Sequence, residues 1–265
     1  MRFCHIRNIF FYLGEFTLIL LIASACDGIE SADIALYSDN GADENCITAT
    51  KHMFEWMGYS VALIEAETIN KGELVNYKLL CVPGGDMYQY GQDISSSGKQ
   101  KIRDFVARGG AYIGICGGAY FTGHTVYWQG QQIPMTPLEL FPGTTRGPID
   151  SIAPYPNCIM CRVSIIDTIH PITHTESDSA WQAYCYGPQL EPDIGVQVTV
   201  LGEYSLVGTP AIVAFEYDKG RVFIIGTHPE FEEDSDRDGV DAGDSFDDKG
   251  SDWNLMRNAV LWCLP

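Results

Sequence analysis

Short apolar runs alternate with amphipathic stretches along the first half of the chain, beginning at Ala32. Helical spacing of apolar positions predicts one helix over 46–57 and a second over 98–110. The apolar runs predict strands at 33–37, 60–66, 78–86 and 111–116. Short, nearly continuous apolar strands separated by helices are typical of a parallel sheet that is covered on both faces.

The second half of the chain is richer in strands. Residues 170–174 (HPITH) predict a short helix with Pro171 in its first turn, and residues 253–264 predict a closing helix. The chain has 265 residues, 46% of them hydrophobic, which is enough for one sizeable core. We therefore predict a single α/β domain over 32–265. Its later extended segments are at 162–167, 196–204, 210–217 and 220–228, with a hairpin turn at Asp218–Lys219–Gly220.

The first 25 residues have the layout of a secretory signal. A basic start is followed by an apolar run at 16–23 that is too short to span a bilayer comfortably. Small residues come next and lead to Cys26, in the sequence ASAC. We therefore predict an exported protein with a signal peptide at 1–25 and a short linker at 26–31.

The residues before Cys26 fit two routes of processing. They resemble the lipobox of bacterial lipoproteins, in which the cysteine is lipidated and becomes the new N-terminus. Simple cleavage after Ala25 fits the same small residues, whereas an uncleaved anchor is disfavoured because Glu15 interrupts the apolar stretch. We expect a lipoprotein on the periplasmic or extracellular face, attached to the membrane through its lipid alone, with a secreted protein as the alternative.

Export would place the cysteines in an oxidising compartment, where disulfides can form. Apart from Cys4 and Cys26 in the leader region, seven of the nine cysteines remain, and an odd number indicates one thiol kept apart from pairing. The other six allow up to three disulfides. The CIMC sequence at 158–161 has no second CxxC or histidine pair at ligand spacing, so a disulfide partner or a buried cysteine is expected there in place of zinc.

The chain is strongly acidic, with a formal net charge of −19. Nucleic acids and anionic membrane surfaces are therefore poor partners for this chain. Much of the charge lies in an insert at 232–252, which contains the D-x-D-x-D-G opening of a calcium loop at Asp234, Asp236 and Asp238. Ser245 replaces the bidentate glutamate that usually ends such a loop. Either calcium binding or a solvated acidic loop fits, and no other cofactor is expected.

Chemistry-bearing residues follow three of the predicted strands. They are found in the segments 83–86 (PGGD), 114–118 (GICGG) and 227–230 (THPE). In an open parallel sheet such loops meet beyond the carboxyl ends of the strands. We therefore expect the active groups to gather at this edge.

Cys116 lies between glycines at the end of a predicted strand, where a sharp strand-to-helix turn requires small neighbours. His228 can take the proton of a thiol, and Glu230 can orient the imidazole. Gly85 and Gly117 are candidates for the oxyanion hole, since glycine lets backbone N–H groups approach a substrate closely. The residues therefore indicate a Cys-His-Glu triad.

These motifs resemble a known family. G-x-C-x-G followed by a distant H-P-E, with an upstream P-G-G, is similar to the class I glutamine amidotransferase-like superfamily. More narrowly, VPGGD, FVARGGAYIGICGGAYF and HPE…DWNLMRNAVLW resemble the domain at the N-terminus of some biotin–protein ligases and in stand-alone proteins. The resemblance implies a flavodoxin-like three-layer sandwich with a mostly parallel central sheet and a strand-rich second half. It also implies Cys116 as nucleophile, His228 as base and Glu230 as orienting group.

One departure from the family pattern bears on activity. Glutamine-hydrolysing members continue G-x-C-x-G-x-Q, and Tyr120 stands at the glutamine position here. The chain carries no synthase domain to receive ammonia and no match to the biotin-transferring domain, so amidotransfer, biotin ligation and a synthase partner are not expected. Residues 184–190 (YCYGPQL) are predicted as a substrate-facing loop, with Tyr120 and Tyr186 as candidate contacts.

The residues therefore predict a cysteine hydrolase-like protein that acts on an amide or acyl bond of a small molecule or peptide. The alternative is a non-catalytic protein that retains the fold and binds a ligand in its pocket.

Overall fold

The computed structural model describes residues 32–232, 236–246 and 250–264. The predicted signal peptide, linker and lipidated Cys26 lie outside these residues, as does Asp234 of the predicted calcium loop. Within the described ranges no helix is both long enough and apolar enough to cross a membrane.

Helices and strands alternate in the first half, as the apolar pattern predicts. In chain order the elements are β1 (Ile34–Tyr37), α1 (Glu44–Trp56), β2 (Val61–Ile64), α2 (Ala66–Lys71), a 3₁₀ turn (Glu73–Asn76), β3 (Leu79–Val82), α3 (Met87–Asp93), α4 (Ser96–Ala107), β4 (Ala111–Ile115) and α5 (Gly117–Thr122). The 60–66 segment divides, because the Ala66 N–H donates to Asp39 Oδ2 at 3.0 Å and a helix begins there.

The second half is mostly extended, as predicted. Its elements are β5 (Thr125–Trp128), β6 (Gln131–Gln132), β7 (Gly143–Gly147), β8 (Ile159–Ile165), β9 (Ser179–Tyr184), β10 (Gln189–Pro192), β11 (Thr199–Tyr204), β12 (Thr209–Tyr217), β13 (Gly220–Ile225), a 3₁₀ turn (Asp236–Asp238) and α6 (Trp253–Cys263).

The central sheet has nine strands, in the order β2-β1-β3-β4-β13-β12-β11-β8-β9. Pairing is parallel from β2 to β13 and antiparallel from β13 to β9. This division reflects the connections, because parallel neighbours require a crossover whereas antiparallel neighbours such as β12 and β13 need only a short turn. A second sheet of four strands, β10-β7-β5-β6, was not predicted from the sequence.

Helices cover both faces of the central sheet. Side chains of β1, β3 and β4 alternate between the faces, so each strand contributes to two separate apolar clusters. One cluster packs against α1 and α6, and the other packs against α2 to α5. The result is the three-layer α/β architecture that the family resemblance implies.

One sequence-based expectation is wrong. Residues 170–174 form a turn in place of a short helix, because the Asp167 carboxylate accepts from the N–H groups of Ile169 and His170 and closes the chain locally.

Only one disulfide, Cys158–Cys185, joins cysteines of the described chain. The other described cysteines are free and buried among the core elements, at positions 46, 81, 116, 161 and 263.

Candidate active site

Cys116 occupies a sharp turn between β4 and α5. Its φ of +47° and ψ of −101° lie in a region that residues other than glycine rarely adopt. The turn is held from both sides, since the Cys116 N–H donates to Ile225 O at 2.9 Å and its carbonyl accepts from Tyr120 N at 2.9 Å. This is the strand-turn-helix geometry that displays a nucleophile at the top of a sheet.

Close backbone packing explains the glycines around this turn. A Cβ at Gly117 would lie 2.2 Å from Gly85 O, and a Cβ at Gly118 would lie 1.9 Å from Val82 O. Gly85 itself has φ +146°, which favours glycine. The loops after β3 and β4 are therefore in direct contact, and the candidate oxyanion-hole residues Gly85 and Gly117 are neighbours.

His228 and Glu230 form a buried pair after β13. His228 Nδ1 and Glu230 Oε1 are 2.9 Å apart, and the side chains are 5% and 0% exposed. The Glu230 carbonyl accepts from Trp253 Nε1 at 3.0 Å, while the imidazole stacks on Phe231 with its ring centroid 5.2 Å away. Since Nδ1 is engaged by Glu230, the ring orientation is set. His228 Nε2 is buried and has no hydrogen-bond partner among the described residues.

The charges around His228 favour its protonated form. Burial lowers the pKa of His228, but the thiolate form of Cys116 and the Glu230 carboxylate together raise that pKa well above 6.5. His228 therefore brings a positive charge to the cavity that Cys116 also lines.

Cys46 is the residue of this site that sequence reasoning missed. It lies in the first turn of α1, and its Sγ is 3.7 Å from His228 Nδ1. Burial raises the pKa of the Cys46 thiol far above its usual range, so this thiol stays protonated. Its apolar helical position was typical of a core residue, and no local signal pointed to His228, 182 residues away.

Cys46, His228 and Glu230 also have the donor chemistry of a metal site. Their sulfur, nitrogen and oxygen atoms lie within 4.8 Å of one another, and no other such group of three or more occurs in the described ranges. Zinc accepts this mixture of donors. The same atoms serve the histidine–glutamate pair, so metal and proton would compete for His228 Nδ1.

A cavity of about 800 Å³ opens above these groups. Cys116, His228 and Cys46 line it, so the two thiols and the imidazole face one space. Such a volume is in the range of pockets for small-molecule ligands. A small ligand in this cavity would therefore lie beside Cys116.

The predicted substrate-facing loop forms one wall of this cavity. Cys185 and Tyr186 line the cavity, and the Cys185 carbonyl lies 3.6 Å from Cys116 Sγ. The loop is held by the Cys158–Cys185 disulfide and by the Tyr120 hydroxyl, which donates to Tyr186 O at 3.0 Å. Tyr120 is thus engaged with the loop and is only 1% exposed, whereas the Tyr186 side chain remains half-buried at the cavity.

The acidic insert begins beside the cavity, where Phe231 and Ala242 belong to the lining. Asp238 is fully buried, and its carboxylate accepts from Glu232 N at 2.9 Å and from Val240 N at 3.2 Å. These hydrogen bonds join residues within the insert, and Asp236 begins the adjoining 3₁₀ turn. Calcium binding by the insert stays a prediction.

Residues 32–252 match the family described as the N-terminal part of biotin–protein ligase. The chain belongs to this family. A biotin–protein ligase of Schizosaccharomyces pombe is 29% identical over 215 residues, which are 75% of this chain and 33% of that protein. The chain thus spans about a third of that ligase. An uncharacterised protein of Chlamydia muridarum is also 29% identical over 215 residues, covering 75% of this chain and 80% of its own length.

Solved structures of other proteins have a fold similar to that of this member of the biotin–protein ligase N-terminal family. PurLQS from Thermotoga maritima superposes with a TM-score of 0.57 at 16% identity, covering 86% of this chain and 97% of that chain. A glutamine amidotransferase from the same organism superposes with a TM-score of 0.53 at 12% identity, covering 87% and 96%. The chain therefore has a class I glutamine amidotransferase-like fold.

Proposed function

We propose that this protein is an exported cysteine hydrolase-like enzyme that cleaves an amide or acyl bond. Cys116 is the nucleophile, His228 the general base and Glu230 the group that orients the imidazole. The observation that carries the proposal is the position of Cys116, which has a positive φ and lines the same cavity as His228. The Nδ1 of His228 is hydrogen-bonded to Glu230. Backbone strain of this kind costs about 1–3 kcal/mol and clusters at active sites.

The proposed reaction follows the covalent route of thiol hydrolases. The Cys116 thiolate attacks the substrate carbonyl carbon, and the carbonyl oxygen becomes an oxyanion that the N–H groups of Gly85 and Gly117 would stabilise. His228, protonated through Nε2, gives its proton to the departing amine or alcohol as the carbon–heteroatom bond breaks. Water then attacks the thioester with His228 as base, which releases the acid and restores the thiol.

The two thiols of the site have different roles in this proposal. Burial holds Cys46 in the protonated form and its backbone is that of an ordinary helix, whereas Cys116 is on the strained turn. Cys46 therefore fills space beside His228 Nδ1 and does not attack substrate.

Amidotransfer from glutamine and biotin ligation are not part of the proposal. The hydroxyl of Tyr120, at the position where glutamine-hydrolysing relatives carry glutamine, is used to hold Tyr186 O. The biotin–protein ligase of Schizosaccharomyces pombe is matched over only 33% of its length.

Alkylation by iodoacetamide at pH 7, followed by peptide mapping, tests the triad. We expect rapid modification at Cys116, and a rate about 100-fold lower in His228→Ala, because the imidazolium that stabilises the thiolate is removed. His124→Ala is the matched control, since that exposed histidine pairs with Asp193 away from the cavity lining. A Cys116 as slow as a buried thiol in the wild type, or an unchanged rate in His228→Ala, contradicts the enzyme and favours the ligand-binding alternative.

Export and calcium binding belong to the same proposal and have separate tests. Palmitate incorporation by the full chain, lost in Cys26→Ser, would establish the lipid anchor; a secreted, unlipidated product would establish simple cleavage. For calcium, the supporting pattern is D-x-D-x-D-G from Asp234 to Gly239. A melting temperature that falls with chelator and recovers with calcium supports an ion, and an unchanged one supports a solvated acidic loop.

A further inference from the structure

We infer that the substrate of this site carries a positive charge, on an amine or guanidinium group, beside a flat apolar portion. This inference names a substrate class for the proposed hydrolase and rests on that function for its catalytic step. Its basis is the chemistry of the cavity walls around the buried, unpartnered Nε2 of His228.

One wall carries carboxylates. Asp43, Glu44 and Asp86 line the cavity and are exposed. None of them takes part in the ion pairs found among the described residues. Their charges are therefore available to a ligand.

Two of these three carboxylates also occupy helix N-termini that would otherwise attract an anion. Asp43 Oδ1 accepts from the N–H groups of Asn45 and Cys46, at 2.9 and 3.2 Å, and caps α1. Asp86 Oδ1 accepts from Tyr88 N at 2.9 Å and caps α3. The positive ends of both helices are thus satisfied by the protein itself, and the wall keeps a net negative charge.

No lysine or arginine lines the cavity within the described ranges, so a carboxylate or phosphate on a ligand would meet no cationic side chain there except His228. The formal charge of the whole chain, −19, acts in the same direction. Clefts lined by charge of one sign concentrate ligands of the opposite sign and raise their association rates by about 10-fold or more.

Another part of the lining is aromatic. Trp128 is in edge-to-face contact with Tyr120, Tyr155 and Tyr186, with ring centroids 5.8, 5.5 and 6.3 Å apart, and all four residues line the cavity. Tyr155 remains 48% exposed. Aromatic faces attract amine and guanidinium cations and stack on flat apolar groups, so this wall and the carboxylate wall favour the same ligand.

Methanethiosulfonate reagents measure this preference directly. The Cys116 thiolate attacks the sulfenyl sulfur, a mixed disulfide forms and methanesulfinate leaves. Rates with the aminoethyl (cationic), methyl (neutral) and sulfonatoethyl (anionic) reagents are each divided by the rate with free 2-mercaptoethanol. We expect a cationic-to-anionic ratio of about 10 or more at low salt, falling toward 1 at high salt.

Variants identify the source of the preference. Asp43→Asn and Asp86→Asn keep a capping side chain and should each lower the ratio about threefold. Glu216→Gln is the control and should leave the ratio unchanged. Glu216 is an exposed carboxylate of β12 that lies beside the first residues of β13, at the end of the sheet away from Cys116. A wild-type ratio near 1, or an equal fall in Glu216→Gln, overturns the inference.

A second arm separates this inference from the proposed function. Benzylammonium, benzyl alcohol and benzoate are compared as protectants of Cys116 against the neutral methyl reagent. Protection by benzylammonium, with less by the alcohol and none by benzoate, supports the inference even if His228→Ala leaves the thiol equally reactive. Equal or better protection by benzoate overturns it even if the triad is fully active.

Discussion

The β4–α5 turn and the first turn of α1 each bring a cysteine to His228, and they differ in how the backbone carries it. Cys116 has φ +47° on a strained turn lined by glycines. Cys46 has an ordinary helical backbone behind its Asp43 cap, and burial holds its thiol protonated. The two thiols near the imidazole are therefore distinguished by their backbone: one lies on a strained turn and the other in an ordinary helix.

The largest expected effect comes from crowding the turn. In Gly117→Ala the new Cβ would lie 2.2 Å from Gly85 O, and neither backbone can move without disturbing the other loop. We expect a loss of about 3–5 kcal/mol in the free energy of unfolding and loss of rapid Cys116 alkylation, measured by urea unfolding and peptide mapping.

Gly130→Ala is the matched control for that substitution, because its Cβ would meet nothing within 4 Å and only its φ of +76° opposes alanine. It should cost about 1 kcal/mol. Equal stability losses in the two variants would show that the contact between the loops is not what shapes the turn.

Removal of the Cys158–Cys185 disulfide tests whether the loop beside Cys116 depends on a covalent link. The bond spans 27 residues and holds the loop whose Cys185 carbonyl is 3.6 Å from Cys116 Sγ. We expect the Cys158→Ser/Cys185→Ser variant to lose about 2–4 kcal/mol in the free energy of unfolding. A loss below 0.5 kcal/mol, on the order of a surface substitution, would contradict this role.

Cys46→Ala tests whether the thiol on α1 contributes to the reactivity of Cys116. It removes a buried sulfur next to His228 and should cost about 1–2 kcal/mol in the free energy of unfolding. The rate of Cys116 alkylation should stay within about threefold of wild type, since His228 and Glu230 remain. A drop as large as that of His228→Ala would mean that the two thiols act as one unit.

The smallest effect is a pH dependence carried by His228. Its pKa is raised in the folded protein, so its stabilising contribution is complete below the unfolded value of 6.5 and is lost as pH rises through the folded value. We expect the stability difference between wild type and His228→Gln to shrink by about 1 kcal/mol or more as pH rises above 6.5. Urea unfolding at several pH values measures it, and a constant difference would indicate a neutral imidazole.

Local patterns in the sequence predicted the part of the site that lies on the central strands. β3 and β4 are continuous apolar runs, and β13 is apolar over its last four residues. The residues that follow each strand were placed at one sheet edge by the parallel topology alone. The second sheet was missed because a strand such as Gly143–Gly147 (GTTRG) has no apolar alternation to reveal it.

The sequence by itself determined the β4–α5 turn with Cys116 and the two residues proposed to act with it, His228 and Glu230. Cys116 ends an apolar run between glycines, and the HPE that carries His228 and Glu230 ends another, so each needs only its own few neighbours to be recognised. The tertiary structure decided the rest: Cys46 against His228, the Cys158–Cys185 bond, and the aromatic wall around Trp128. These contacts join segments far apart in the chain, where packing of whole elements, and no local preference, brings the side chains together.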